Sequence, residues 1–306
     1  MTTTEVNVVT GAFSHTGKYI AQRLLFVGEE VRTLTGRPDR GNLFGHQVEV
    51  YPFNFDQPEK LTDSLRGAKT LYNTYWVRFP HGQVTFDKAV ENSKTLITAA
   101  EEAGISRIVH ISITNPSEDS PFPYFRGKAL VEKAITQSKL SYAIIRPTVI
   151  FGPEGILINN IAWLLRRFPI FAIPGSGDYR IQPVFVEDVA EIAVSAGQKK
   201  ENLFMDAVAP EVYTFDEFVR MIASQINSQA RIIHVGPWLA LFLARLIGYA
   251  VRDVVITRDE IEGLMSNLLI SQGEPTVPTR FSLWLGQNAE KIGKRYISGI
   301  ERRYHD

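Results

Sequence analysis

A tyrosine followed four residues later by a lysine occurs once in this sequence, as Tyr124 and Lys128 in the run PYFRGKALVEK. On a helix that spacing puts both side chains on one face. An ammonium beside a phenol stabilises the phenolate and lowers a pKa that is otherwise about 10, which makes the phenol a usable general acid and base. The same lysine can also hydrogen-bond a ribose. Just upstream, the strand-like run HISITN ends in the hydroxyls of Ser112 and Thr114. A hydroxyl at a strand end can hold a substrate carbonyl oxygen beside the phenol.

The second chemical feature is the stretch TGAFSHTG, residues 10–17, between an apolar run and a helical pattern. A strand that turns directly into a helix offers backbone N–H groups and the positive end of the helix dipole to a phosphate. Gly11 permits the tight turn and Gly17 lets the helix pack on the strand. Phe13, Ser14, His15 and Thr16 complete the loop. Ser14 stands where a third glycine is expected; it is small, and its hydroxyl is expected to donate to a phosphate oxygen. The next β-rich run closes on Thr35 and Gly36, followed by Arg37 and then Arg40. No carboxylate is there to accept from a ribose 2′-hydroxyl, whereas a guanidinium suits a 2′-phosphate. NADP(H) is therefore expected in preference to NAD(H).

These residues need a scaffold, and the alternation of elements supplies one. Strand patterns at 6–10, 30–35, 47–51, 70–74, 107–112 and 142–146 alternate with helical patterns at 17–27, 59–65, 84–103 and 125–137. Such alternation predicts an α/β fold, a Rossmann-type doubly wound parallel sheet with helices on both faces. After residue 152 the rhythm changes to helices at 158–168, 214–226, 236–250, 258–269 and 283–303, with short strands near 184–186, 202–206 and 231–234. Residues 1–152, completed by elements near 184–206, are expected to form the nucleotide-binding domain. Residues 153–306 are expected to form a smaller, mostly helical, interleaved substrate region, with the cleft beyond the carboxyl ends of the strands.

With these features in place, the chain resembles the short-chain dehydrogenase/reductase superfamily in its extended or atypical branch. The resemblance rests on the glycine loop, Tyr124 and Lys128, and on four further stretches. Asn54 and Phe55 after the third strand match the adenine-holding position, and Asn92 matches a helix position that supports the active site. RPTVIFG (146–152), with Pro147, Thr148, Val149 and Ile150, matches the segment along the nicotinamide; QPVFVEDVA (182–190) matches the element closing the substrate half. The resemblance implies Tyr124 as acid/base, Lys128 as its electrostatic partner and Thr114 as the carbonyl-positioning hydroxyl, with Ser112 competing. It departs at Ser14, and at Asn73, Thr74, Tyr75 and Trp76, where the family has small residues beside the cofactor. The bulky Tyr75 and Trp76 narrow that wall or offer an aromatic surface. The segment GSGDYRIQPV (175–184) is similar to NmrA-like proteins and to the nucleotide-binding accessory subunit of respiratory complex I, which disfavours a sugar-nucleotide epimerase or dehydratase using bound NAD.

The implied activity is an NADP(H)-dependent oxidoreductase for a carbonyl or alcohol. Trp163, Phe168, Phe171, Trp238 and Phe242 point to a hydrophobic small-molecule substrate. A regulator or assembly subunit that binds the cofactor without turnover is the alternative from another class. With 33 basic and 33 acidic residues, no excess charge argues for nucleic acid. The absence of cysteine excludes disulfides, thiolate metal sites and cysteine nucleophiles, and the six histidines show no metal-ligand spacing. The N-terminus runs straight into a strand pattern, so no signal peptide is expected. The apolar run 235–250 is short for a membrane span and is expected to be a buried or lid helix. A cytoplasmic monomer or homodimer with no stable membrane span is the expectation.

Overall fold

The computed structural model describes residues 5–38 and 42–303; the expectation placed on Arg40 lies outside them. The chain begins β1 (Val6–Thr10), α1 (His15–Phe26), β2 (Glu30–Thr35), β3 (Val48–Pro52), α2 (Pro58–Leu65), β4 (Thr70–Asn73), α3 (Phe86–Glu102), β5 (Arg107–Ile111), α4 (Pro123–Thr136) and β6 (Ser141–Pro147). It continues with β7 (Val149–Phe151), α5 (Ile156–Arg167), β8 (Ile170–Pro174), β9 (Arg180–Ile181), β10 (Pro183–Phe185), α6 (Val186–Gly197) and β11 (Leu203–Ala207). The last part is β12 (Tyr213–Thr214), α7 (Phe215–Gln225), β13 (Arg231–Val235), α8 (Pro237–Val251), α9 (Arg258–Met265), α10 (Phe281–Asn288) and α11 (Gly299–Arg303). Two compact units result: Met1–Pro147 with Val186–Asp206, and Thr148–Phe185 with Ala207–Asp306.

The first unit is built on a seven-stranded sheet in the order β11-β6-β5-β4-β1-β2-β3. The pairings from β3 through β6 are all parallel. Its inner strands β4 and β5 are buried at every position, because helices cover both faces. α1 packs with α6, which lies behind β5 and β6, while α2, α3 and α4 pack in succession. The strand order reverses between β1 and β4, and that is where a parallel sheet opens a crevice beyond its carboxyl ends. A buried core of Val8, Leu34, Leu71, Leu96, Ile108, Val131 and Ile144 holds the sheet to α3 and α4. Arg107, 3% exposed, stitches the returning segment to β5: it donates to Ala196 O at 2.9 Å and Glu201 O at 3.0 Å.

The second unit has its own core, in which Phe151, Phe218, Phe281 and Trp284 meet ring to ring; Phe218 and Phe281 lie 4.9 Å apart. Its strands form three pairs, β7–β10, β8–β13 and β9–β12. Three expectations are corrected here. The helix expected over 283–303 is broken: α10 ends at Asn288, and the chain turns at Gly293, where φ is +68° and a Cβ would come within 2.6 Å of the Ala162 backbone. α11 restarts at Gly299, its Gly299 and Ile300 amides donating to the Asp253 carboxylate at 2.8 and 2.9 Å. The helix expected to 269 ends at Met265, with Asn267 in the left-handed region at φ 56°. Finally, α8 is not buried; Ala240 and Gly248 are its only buried residues.

Candidate functional site

The glycine loop leaves β1 at Thr10 and enters α1 at His15, with Ser14 as N-cap. Gly11 takes φ +68°, the left-handed conformation that permits the turn. At Gly17 a Cβ would stand 2.2 Å from Gly11 O, so this helix can lie against this strand only without a side chain there. The first bond of the helix runs from Lys18 N to Ser14 O at 3.0 Å, and the amides of the preceding turn lie ahead of it at the positive end of the dipole. The Ser14 hydroxyl donates to Gly11 O at 2.6 Å. That bond closes the loop. Phe13 stacks on Phe44 at 6.3 Å, and His15 meets Tyr19 edge-on at 6.0 Å. Thr16 lies half-buried in the first turn.

At the end of β2, Arg37 is half-buried, and its backbone amide donates to Thr35 Oγ1 at 3.2 Å. Beside it lies an aromatic group that sequence reasoning found only in part. Phe53 stacks on Phe55 at 4.9 Å, and Tyr75 meets them at 5.1 and 5.0 Å. Asn54 between the phenylalanines sits at φ 47°, which lets both rings fall on one side of the turn. Asn92 on α3 donates to Tyr75 Oη at 2.9 Å, so it braces that ring.

The β4 loop is locked to β1. Thr10 Oγ1 donates to Asn73 Oδ1 at 3.2 Å and accepts from Thr74 N at 2.7 Å, while Thr74 Oγ1 donates to Thr10 O at 2.5 Å. Asn73 Oδ1 also accepts from Tyr75 N at 3.0 Å, which leaves Asn73 Nδ2 to face His110 Nδ1 at 3.2 Å. Asn73 is fully buried and acts as the keystone of the loop rather than as a surface that meets a ligand. Thr10 and His110 belong to this ladder and escaped sequence reasoning; the signal was a polar residue towards the carboxyl end of each of two mostly apolar strands. His110 is fully buried, and burial together with the Lys128 charge holds its pKa well below the usual imidazole value.

Tyr124 lies in the first turn of α4, behind Pro123 at the helix start, and Lys128 follows one turn later. The Tyr124 ring contacts Trp76 and Phe86 edge-on, each at 5.9 Å. Lys128 is 2% exposed; its ammonium donates to Ile111 O at 2.8 Å and lies 4.9 Å from the centre of the Trp76 indole. Thr114 is 1% exposed, and its amide donates to Pro147 O at 3.0 Å. Ser112 is 5% exposed, and its Oγ meets no partner among the described residues. Thr148, Val149 and Ile150 belong to the second unit, where Val149 and Ile150 pair with β10. The aromatics expected around a substrate disperse: Phe171 is in the core, Trp163 packs on Phe168 and Tyr296, and Trp238 and Phe242 stand exposed on α8. No cluster of metal-ligating side chains occurs among the described residues.

The residues of the first unit fit a dinucleotide. A side-chain-free crossing of strand and helix opens onto the α1 N-terminus, the β2 end carries an arginine and no carboxylate, and three aromatic rings lie beside it. The comparisons agree. Residues 11–156 match the family described as NAD(P)H-binding. The mitochondrial NADH dehydrogenase (ubiquinone) 1 alpha subcomplex subunit 9 of Arabidopsis thaliana is 25% identical over 288 residues, covering 87% of this chain and 71% of that protein. A nucleoside-diphosphate-sugar epimerase from Staphylococcus aureus shares the fold at a TM-score of 0.72 and 13% identity, over 92% of this chain and 99% of its own. Citrobacter sp. triphenylmethane reductase complexed with NADP(H) shares it at 0.67 and 18% identity, over 95% of both chains. At these identities the two structures speak for the fold alone. Residues 11–156 match the NAD(P)H-binding family on a Rossmann-type sheet, in a chain similar to complex I subunit 9 over 87% of its length.

Proposed function

We propose that this chain binds NADP(H) along the strand ends of its first unit and holds it without turnover by the Tyr–Lys route. One observation carries the reading: Lys128 is 2% exposed, bonded to Ile111 O and covered by the Trp76 indole. In the acid/base scheme implied by the resemblance, that ammonium must meet a ribose and support the phenolate of Tyr124. Here an indole occupies its open side and also touches the Tyr124 ring. A subunit role in the Arabidopsis relative supports the same reading. The bound nicotinamide would supply hydride chemistry. The chain's own part is to hold: the α1 N-terminus meets the pyrophosphate, Arg37 the 2′-phosphate, and Phe53, Phe55 and Tyr75 the adenine.

The second reading is an NADP(H)-dependent oxidoreductase acting on a carbonyl or alcohol of a hydrophobic small molecule. It is favoured by Tyr124 standing half-buried one helical turn before Lys128. One experiment separates the two. Binding of NADPH and NADH is followed by fluorescence, and NADPH oxidation is followed over a panel of carbonyl compounds and sugar nucleotides. The expected result is NADPH binding with no turnover. Wild-type turnover that disappears in Tyr124→Phe, with binding intact, would overturn the first reading in favour of the second.

A further inference from the structure

α8 is made of the residues PWLALFLARLIGYAV, and only two of them, Ala240 and Gly248, are buried. Trp238 is 74% exposed, Phe242 52%, Leu246 55% and Tyr249 91%. Their spacings of four, four and three place them in one stripe along the helix. The opposite side, marked by the buried Ala240 and Gly248, is the side that packs, and α8 rests there on β8. Fifteen helical residues extend about 22 Å, short of the roughly 30 Å hydrocarbon core of a bilayer. No helix among the described residues is long and apolar enough to cross a membrane. A helix this short cannot pass through a bilayer, though it can lie in the surface of one.

Charge selects the occupant. From Phe218 to Arg252 the sequence holds no Asp or Glu, but carries Arg220, Arg231, Arg245 and Arg252, in a chain whose charges balance as a whole. Arg220 is bound to Asp216, while Arg231, Arg245 and Arg252 are exposed. Arg245 is the one charged side chain within the helix and stands on the exposed side, three residues after Phe242 and four before Tyr249, where its aliphatic stem can lie along apolar surface with the guanidinium at the headgroups. Trp238 and Tyr249, near the two ends of the stripe, have the apolar body and polar tip that suit the interface. We propose that α8 is an in-plane anchor by which the second unit docks on an anionic lipid surface. The helix inserts its apolar stripe, and the arginines meet the headgroups. This inference is independent of what the first unit does with its cofactor.

The test is flotation of the full chain with vesicles of phosphatidylcholine alone and of phosphatidylcholine with phosphatidylglycerol. Wild type is expected to float with the anionic vesicles, less so as salt rises, and weakly with the neutral ones. Phe242→Ser combined with Leu246→Ser should weaken binding by a factor on the order of ten or more, and Arg245→Glu should abolish the anionic preference. Circular dichroism melting shows that each variant is folded; because both sites are solvent-exposed, their melting should match wild type. Wild type that stays with the bulk solution, or a folded double variant that binds as wild type does, overturns the proposal. A stable wild-type dimer that the double variant dissociates, without lipid binding, also overturns it and gives the face to a second copy.

Discussion

In the proposed reading two side chains decide how the cofactor end of the first unit behaves, and each can be tested alone. Arg37 is the cation at the end of β2, where Thr35 brings a hydroxyl and no carboxylate. A charge-assisted pair with a 2′-phosphate contributes about 1.5–3 kcal/mol. Arg37→Ala is therefore expected to weaken NADPH binding roughly ten- to a hundredfold while leaving NADH affinity nearly unchanged. Equal affinities for the two cofactors in wild type would remove the argument. Trp76 is the second. Its indole stacks on Phe86 at 6.2 Å, meets Tyr124 and lies over Lys128. Trp76→Ala should uncover the ammonium. Amine acylation read by peptide mass spectrometry is expected to leave Lys128 unlabelled in wild type and to label it in the variant. Ready labelling of wild-type Lys128 would mean that the indole does not cover it.

The crossing of α1 over β1 is an element-scale feature, and a single methyl tests it. In Gly17→Ala the new carbon would begin 2.2 Å from Gly11 O and 2.7 Å from Gly11 C, both backbone atoms that cannot turn aside. The helix must lift off the strand. The expected outcome is a stability loss of about 1–3 kcal/mol in denaturant unfolding, with NADPH binding abolished. Ser14→Gly is the contrast: it removes one hydroxyl bond to Gly11 O, costs about 1 kcal/mol, and should keep binding. A Gly17→Ala protein that binds as wild type does would break the account of this loop. Elements such as β1, α1 and β5 were legible in the sequence because buried parallel strands read as apolar runs and the loop between them needs glycine. β7 and β8 were not: β7 follows β6 after a single residue, and β8 ends in a proline that disrupts a strand pattern. The 283–303 helix failed because its apolar spacing is helical, while Gly293 is demanded by contact with Ala162, which lies far away in sequence. Trp76 was visible as a bulky residue in an unusual place. That it covers Lys128 depends on where β4 and α4 meet, which spacing alone does not encode.

At the scale of the whole molecule, each unit carries its own core, and the first is completed by a segment that leaves after Pro147 and returns at Val186. Its stability should depend on pH through His110, which joins the middle of the sheet to the β4 loop. Asn73 Nδ2 donates to its Nδ1, which places the ring proton on Nε2, buried and without a partner among the described residues. Burial first, and the Lys128 charge second, hold its pKa well below 6.5 in the folded chain. The sign follows from proton counting. Below about pH 6.5 the unfolded chain protonates this imidazole and the folded chain does not, so the unfolded state binds more protons and stability falls as pH falls. Above that value neither state is protonated and the dependence vanishes. The expected contribution is a loss of about 1.4 kcal/mol per pH unit below the unfolded pKa, ending only where the folded pKa is reached. His110→Gln keeps an acceptor for Asn73 and cannot take the proton. Urea unfolding of wild type and variant at pH 8, 6 and 5 measures the difference, and the gap between their stabilities should narrow or reverse towards pH 5. Parallel curves over that range would show that His110 binds its proton equally in both states, and that the buried ladder of Thr10, Asn73 and His110 opens to accept it.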